Sequence, residues 1–159
     1  MNLKTIGVFA GIALLAACAN NNPPSTAASG GTGTTVGTGA APGSEEDLVN
    51  SVGDRVFYAF DSSQLSGDAR ATLDKQAAFL QRYPQDNVQV AGNCDDRGTE
   101  EYNIALGQRR ANAARDYLVA RGVSSGRITT ISYGKDRPTA LGDDEQAWQQ
   151  NRNAITSVQ

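Results

Sequence analysis

Residues 95–111 read Asp95-Asp96-Arg97-Gly98-Thr99-Glu100-Glu101-Tyr102-Asn103-Ile104-Ala105-Leu106-Gly107-Gln108-Arg109-Arg110-Ala111. An acidic turn runs straight into a helix. Thr99 is the expected N-cap, with Tyr102 rather than Glu three positions on, so the capping box is incomplete. The spacing predicts a helix over 99–121, with Ile104, Gly107, Ala111, Ala114 and Leu118 as its buried stripe. Gly122 follows as its stop. Asn103 and Arg110 lie two turns apart and share a side with Leu106 and Tyr117, bordering that stripe. Arg110 is therefore expected to be partly buried, and a half-buried guanidinium needs a partner. Asp95 could fill that role within the fold, and so could the carboxylate of a ligand.

Outward from this helix, the flanking segments alternate strand and helix. A short acidic helical turn is expected over 44–50. A strand over 55–60 carries Val56, Tyr58 and Phe60 on one face and Phe57 on the other, which predicts a central strand. Ser66 caps a helix over 66–83 with Ala69, Leu73, Ala77 and Leu80 inward, and Pro84 ends it. Val88 and Val90 mark a second strand, and residues 128–133 a third. A short helix over 143–150 holds Trp148, and 154–158 is the last strand. The order β-α-β-α-β-(α)-β predicts an α/β (α+β) sandwich, with helices packed on one mixed four-stranded sheet.

The remainder of the chain is of a different kind. Lys4 followed by the apolar run 6–17 reads as a targeting segment, too short to span a bilayer comfortably. It ends in Leu15-Ala16-Ala17-Cys18, which is similar to a bacterial lipobox. The expected organisation is a signal peptide over 1–17, a lipidated Cys18 with a disordered tether over 18–43, and a folded domain over 44–159. From Ala19 to Gly43 no residue is charged and only Val36 is bulky, so this stretch has nothing with which to build a core. A flexible tether of roughly 30 residues spans about 30 Å on root-mean-square average.

Composition removes several classes of function. Without Lys4, 13 basic residues face 17 acidic ones, a poor match for nucleic acid. Histidine is absent, which removes Ser-His-Asp and Cys-His catalysis and His-ligated zinc. Beyond Cys18 the only thiol is Cys94, so an intrachain disulfide framework is excluded. A lone thiol of this kind either forms an intermolecular disulfide when exposed or is buried and inert.

The pattern D-x-x-G-x-x-x-x-N-x-x-L-x-x-x-R-A, carried by Asp95, Gly98, Asn103, Leu106, Arg110 and Ala111, resembles the signature of the OmpA-like peptidoglycan-binding domain family. The runs R-G-T-x-E-Y-N and L-G-x-R-R-A look like its branch of peptidoglycan-associated lipoproteins. The resemblance covers residues 53–158, including Phe60-Asp61-Ser62 and Asn151-Arg152. It implies the same sandwich fold, no cofactor and no catalysis. It implies that Asp95 and Arg110 hold the diaminopimelate of a peptidoglycan stem peptide, the carboxylate of Asp95 taking the amine and the guanidinium fork the carboxylate. Asn103 then either fixes the loop or contacts the peptide. Phe60 and Asp61 border the cleft, and Arg152 lies near it. Backbone amides at the start of the helix would add donors for an anion. Implied partners are peptidoglycan, the outer membrane through the lipid, and the Tol system, notably the periplasmic TolB propeller, together with other OmpA-like envelope proteins. The implied role is to tether outer membrane to wall, serving envelope integrity and cell division.

Three residues depart from the family pattern: Asn93 and Cys94 stand in its G-H-A-D or G-H-T-D turn, and Asn153 replaces the second Arg of N-R-R. A different class of function also fits the acidic turn. Paired carboxylates among Asp95, Asp96, Glu100 and Glu101 could serve a wall hydrolase. A calcium site from the same residues is a third reading, without EF-hand spacing.

Overall fold

Four short side chains decide where the helices begin. Ser44, Ser66, Thr99 and Asp144 each sit in extended backbone and accept from the amide three residues on, at Asp47, Ala69, Tyr102 and Ala147. They open helices α1 (Glu45–Ser51), α2 (Gly67–Arg82), α3 (Glu100–Ala120) and α4 (Glu145–Asn151). Between them run strands β1 (Arg55–Phe57), β2 (Val88–Asn93), β3 (Ile128–Gly134) and β4 (Asn153–Val158). The computed structural model describes residues 39–159, so the signal-peptide segment, Cys18 and the tether up to residue 38 lie outside the described residues. No described helix is long and apolar enough to cross a membrane.

The sheet order is β1-β4-β2-β3. Strand β4 runs antiparallel to both its neighbours, and β2 runs parallel to β3. The mixed four-stranded sheet and the α+β architecture are those the sequence predicts. Val56, Val88, Val90 and Ala154 join Leu73, Ala77, Leu80, Ala111, Ala114 and Leu118 in one core. Arg127 closes the far end of α2 by donating to the carbonyls of Leu80, Tyr83 and Asp86 at 2.6–2.9 Å.

Two expectations need correction. The first strand is an edge, not a centre, and covers only residues 55–57 of the expected 55–60. Phe57 and Phe60 are exposed apolar residues rather than packing for a second face. Apolar character alone does not place a side chain inside. The chain leaves the sheet before Asp61, which has a φ of 52°. On α3, Ile104 is exposed, and the buried side runs through Asn103, Leu106, Gly107, Arg110, Ala111, Ala114 and Leu118. The helix is rotated so that its polar residues Asn103 and Arg110 face inward.

That rotation is set by a contact between backbones. A Cβ on Gly92 of β2 would overlap the carbonyl of Gly107 on α3, and a Cβ on Gly107 would collide with Ser132 Oγ and the Gly92 carbonyl. The two glycines let helix and strand meet without side chains between them. Gly92→Ala is therefore expected to destabilise the fold by about 3 kcal/mol, read as a lower urea midpoint, because neither backbone can yield.

Candidate functional site

A cleft of about 180 Å³ opens where β2 ends and α3 begins. Phe60 and Asp61 come from the loop after β1, Asp95, Arg97 and Gly98 from the β2–α3 loop, and Tyr102, Asn103, Leu106 and Arg110 from α3. The hollow beside β1 and α2 is larger, about 490 Å³. The smaller cleft is singled out because a buried anion, Asp95, and a buried cation, Arg110, both face it. Five of the six binding residues expected from the sequence meet here.

Arg110 is 1% exposed. Its Nε donates to Ser62 O at 2.8 Å, Nη1 to Asn93 O at 2.8 Å and to Cys94 Sγ at 3.3 Å, and Nη2 to Ala59 O at 3.2 Å. Four of the five guanidinium N–H groups are thus used, all on neutral acceptors. Among the described residues, no carboxylate lies within ion-pair distance of it. Burial pulls its pKa down from the ordinary arginine value, yet a guanidinium stays charged. The Tyr58 ring lies 5.3 Å from the guanidinium carbon, and the Tyr58 hydroxyl donates to Arg110 O at 2.8 Å.

The internal Arg110–Asp95 ion pair left open by the sequence does not form. Asp95, 5% exposed, instead receives Arg152 Nη1 at 3.3 Å and Arg97 Nη2 at 2.5 Å, both on Oδ2. Arg152 is itself buried, donates to Tyr58 O and pairs with Glu145 at 2.7 Å. It is the sixth expected residue, and it does not line the cleft. It reaches Asp95 from the α4–β4 junction and acts as its counter-ion from outside the cleft.

Asn103 fixes the loop, one of its two expected roles. Its Nδ2 donates to Arg97 O at 2.8 Å and Thr99 O at 3.1 Å. Gly98, with a φ of 91°, makes the turn between those two carbonyls. Lys135 Nζ holds the same loop through Gly98 O at 2.8 Å. Asp61 is the one non-glycine residue with positive φ among the described residues, and the Tyr102 hydroxyl donates to its Oδ1. Backbone in this region is uncommon and clusters at functional sites. The helix N-terminus contributes less than expected. Thr99 already takes the Tyr102 amide, and Glu100 and Glu101 put two negative charges in the first turn.

Arg97, Gly98, Tyr102 and Leu106 also line the cleft. Of these, Arg97 belongs to the R-G-T-x-E-Y-N run, which by itself assigns it no role. Its guanidinium carbon lies 4.2 Å from the Phe60 ring centroid and 4.1 Å from that of Trp148. No sequence spacing links 60, 97 and 148.

Two of the departures from the family pattern meet each other. Asn93 Nδ2 donates to Asn153 Oδ1 at 2.8 Å, and both residues are buried. The β2–β4 register pairs Gly92 with Ala154, so the next step places residue 93 opposite residue 153. Asn153 Nδ2 is satisfied by Gln150 O and Thr139 Oγ1 at 2.6 and 3.0 Å. The substitutions thus form a neutral pair beside the Asn93 carbonyl that holds Arg110.

Cys94 is 3% exposed, and burial pushes its thiol pKa up even though Arg110 beside it pulls the other way. A buried, protonated thiol is a poor nucleophile. In the native protein Cys94 is expected to stay unmodified by a thiol reagent at pH 8 and to react on unfolding, as peptide mass spectrometry would show.

The model of the OmpA family matches residues 57–152. The peptidoglycan-associated lipoprotein of Brucella melitensis is 49% identical over 152 residues, which cover 95% of this chain and 88% of the relative. That of Rhizobium meliloti is 52% identical over 144 residues, covering 89% of this chain and 80% of the relative. The crystal structure of the peptidoglycan-associated lipoprotein from Burkholderia pseudomallei superposes with a TM-score of 0.67 at 40% identity, covering 71% of this chain and 100% of that one. The C-terminal domain of Helicobacter pylori MotB, at 21% identity and a TM-score of 0.63 over 67% of this chain and 84% of that one, shares the fold alone. With half of its residues identical to those relatives over most of its length, the chain belongs to the OmpA family and, within it, to the peptidoglycan-associated lipoproteins.

Proposed function

We propose that the cleft grips the diaminopimelate of a peptidoglycan stem peptide, and that the protein ties the outer membrane to the wall without covalent linkage. One observation carries this reading: a buried guanidinium whose partners are all neutral faces the same small cleft as a buried carboxylate. Neutral carbonyls satisfy hydrogen bonds but leave the charge uncompensated, which is costly in a dry site. A ligand carboxylate supplies the missing charge, reached through the remaining Nη2 hydrogen. The ammonium on the same carbon meets Asp95, whose Oδ1 takes no hydrogen bond from the described residues. Phe60 and Tyr102 flank the entrance with apolar surface, and Asp61 stands at the rim.

The relatives bear the name of a wall-associated lipoprotein, not of a hydrolase, and the chain is not an enzyme. The carboxylates that a hydrolase would use do not form a pair: Asp96 is exposed beside the buried Asp95. Asp95 is bound by two guanidiniums, while Glu100 and Glu101 are exposed on the first turn of α3. Among the described residues no three His, Cys, Asp or Glu side chains converge as a metal set.

The wider reading rests on the sequence and on the relatives. Residues 1–17 direct export, Cys18 carries the lipid at the outer membrane, residues 18–43 tether, and the domain over 44–159 works in the periplasm. Partnership with TolB and the Tol system in envelope integrity and cell division belongs to the same proposal.

Two measurements test it. In co-sedimentation with diaminopimelate-type sacculi, the wild type is expected in the pellet. Asp95→Ala and Arg110→Lys, each checked by circular dichroism, should lose on the order of 10- to 100-fold in affinity, the scale of one charge-assisted hydrogen bond. Equal pelleting of all three would place the ligand elsewhere. Cys18→Ser is expected to shift the protein from the membrane pellet to the soluble fraction of the envelope, since the acyl chains supply the anchoring.

A further inference from the structure

We propose that Arg97 is an internal stand-in for the ligand's ammonium, parked on Asp95 until a wall peptide displaces it. The inference rests on the reading of Asp95 as the amine anchor. Arg97 Nη2 lies 2.5 Å from Asp95 Oδ2, with the arginine side chain 33% exposed and the carboxylate 6%. Phe60 and Trp148 hold the guanidinium between them, at 4.2 and 4.1 Å from their ring centroids. Asp95 keeps a second cation when this arginine leaves, one it shares with Glu145. Arg152, fully inside, already pairs with the same oxygen at 3.3 Å.

Two cations thus share one carboxylate, and the ligand's ammonium would be a third. Arg152 cannot give way, because it is buried and also bonded to Tyr58 O and Glu145. Arg97 can. Its side chain is one-third exposed, and a partly exposed ion pair is weak. Its parked position is also imperfect, since Arg97 Nε is buried without a hydrogen-bond partner, as is Trp148 Nε1 beside it. Release lets the guanidinium regain water. The latch filters ligands: an ammonium on the free Oδ1 of Asp95 repels Arg97 and replaces it as counter-ion, whereas a neutral or anionic group does not.

Trp148 is the only tryptophan of the chain, so its fluorescence reports whether Arg97 is stacked on it. The probe is the tripeptide alanyl-glutamyl-diaminopimelate, titrated into wild type, Arg97→Ala and Asp95→Ala, with affinity read by calorimetry. Wild type is expected to bind with a change in Trp148 emission. Arg97→Ala should bind about fivefold tighter, the scale of a partly exposed ion pair, and lack that change. If Arg97→Ala binds as wild type does or more weakly, or keeps the emission change, the latch is overturned and Arg97 is an ordinary surface or contact residue. If Asp95→Ala binds like wild type, the amine-anchor reading fails, and the latch fails with it.

Discussion

The guanidinium of Arg110 holds the functional end of the molecule together. Its fork takes Ala59 and Ser62 from the loop after β1 and Asn93 from the end of β2, so two segments distant in sequence converge on one side chain of α3. None of these partners carries charge. The same contacts that define the cleft floor therefore leave a positive charge unneutralised beneath it. Organising the loops is one consequence of this buried group, and the anion attraction of the proposed function would be a second.

Arg110 reaches those carbonyls because α3 lies close to β2. Gly92 and Gly107 meet backbone to backbone, which brings the helix down onto the strand and turns Asn103 and Arg110 inward. The loop between strand and helix is then pinned at both ends. Cys94 N donates to Gly134 O at 2.7 Å, while Asn103 and Lys135 hold the carbonyls of Arg97, Thr99 and Gly98. A site held in this way loses little entropy when occupied. Against this fixed frame stands Arg97, half in solvent and stacked between two rings.

The helices and their caps were legible from local chemistry. Ser66 and Thr99 begin helices where the apolar spacing begins, and Pro84 and Gly122 stand where they end. The first strand was less legible, because Phe57 and Phe60 look like core residues and are not. Ile104 misled in the same way: on an apolar scale it outranks Arg110, yet the arginine is inside. Periodicity weighs hydrophobicity, whereas α3 is oriented by where two glycines permit close approach. Among the site residues, Asp95, Asn103 and Arg110 were readable because they share one short motif. The roles of Arg97, Arg152 and Trp148 were not, since their neighbours are far away along the chain.

The sequence by itself determined the elements, their order and the mixed sheet, because caps, breakers and periodicity act within a few residues. It also determined that an acid and a base, Asp95 and Arg110, flank one helix start, and that no histidine chemistry is available. Tertiary structure alone decided which charge meets which. Arg152 rather than Arg110 neutralises Asp95, Arg110 is left on neutral carbonyls, and Asn93 lies against Asn153 through strand register. The physical reason is range. Hydrogen bonds to a cap are made within one turn, but a buried charge is compensated by whatever the packing of distant segments brings within about 4 Å.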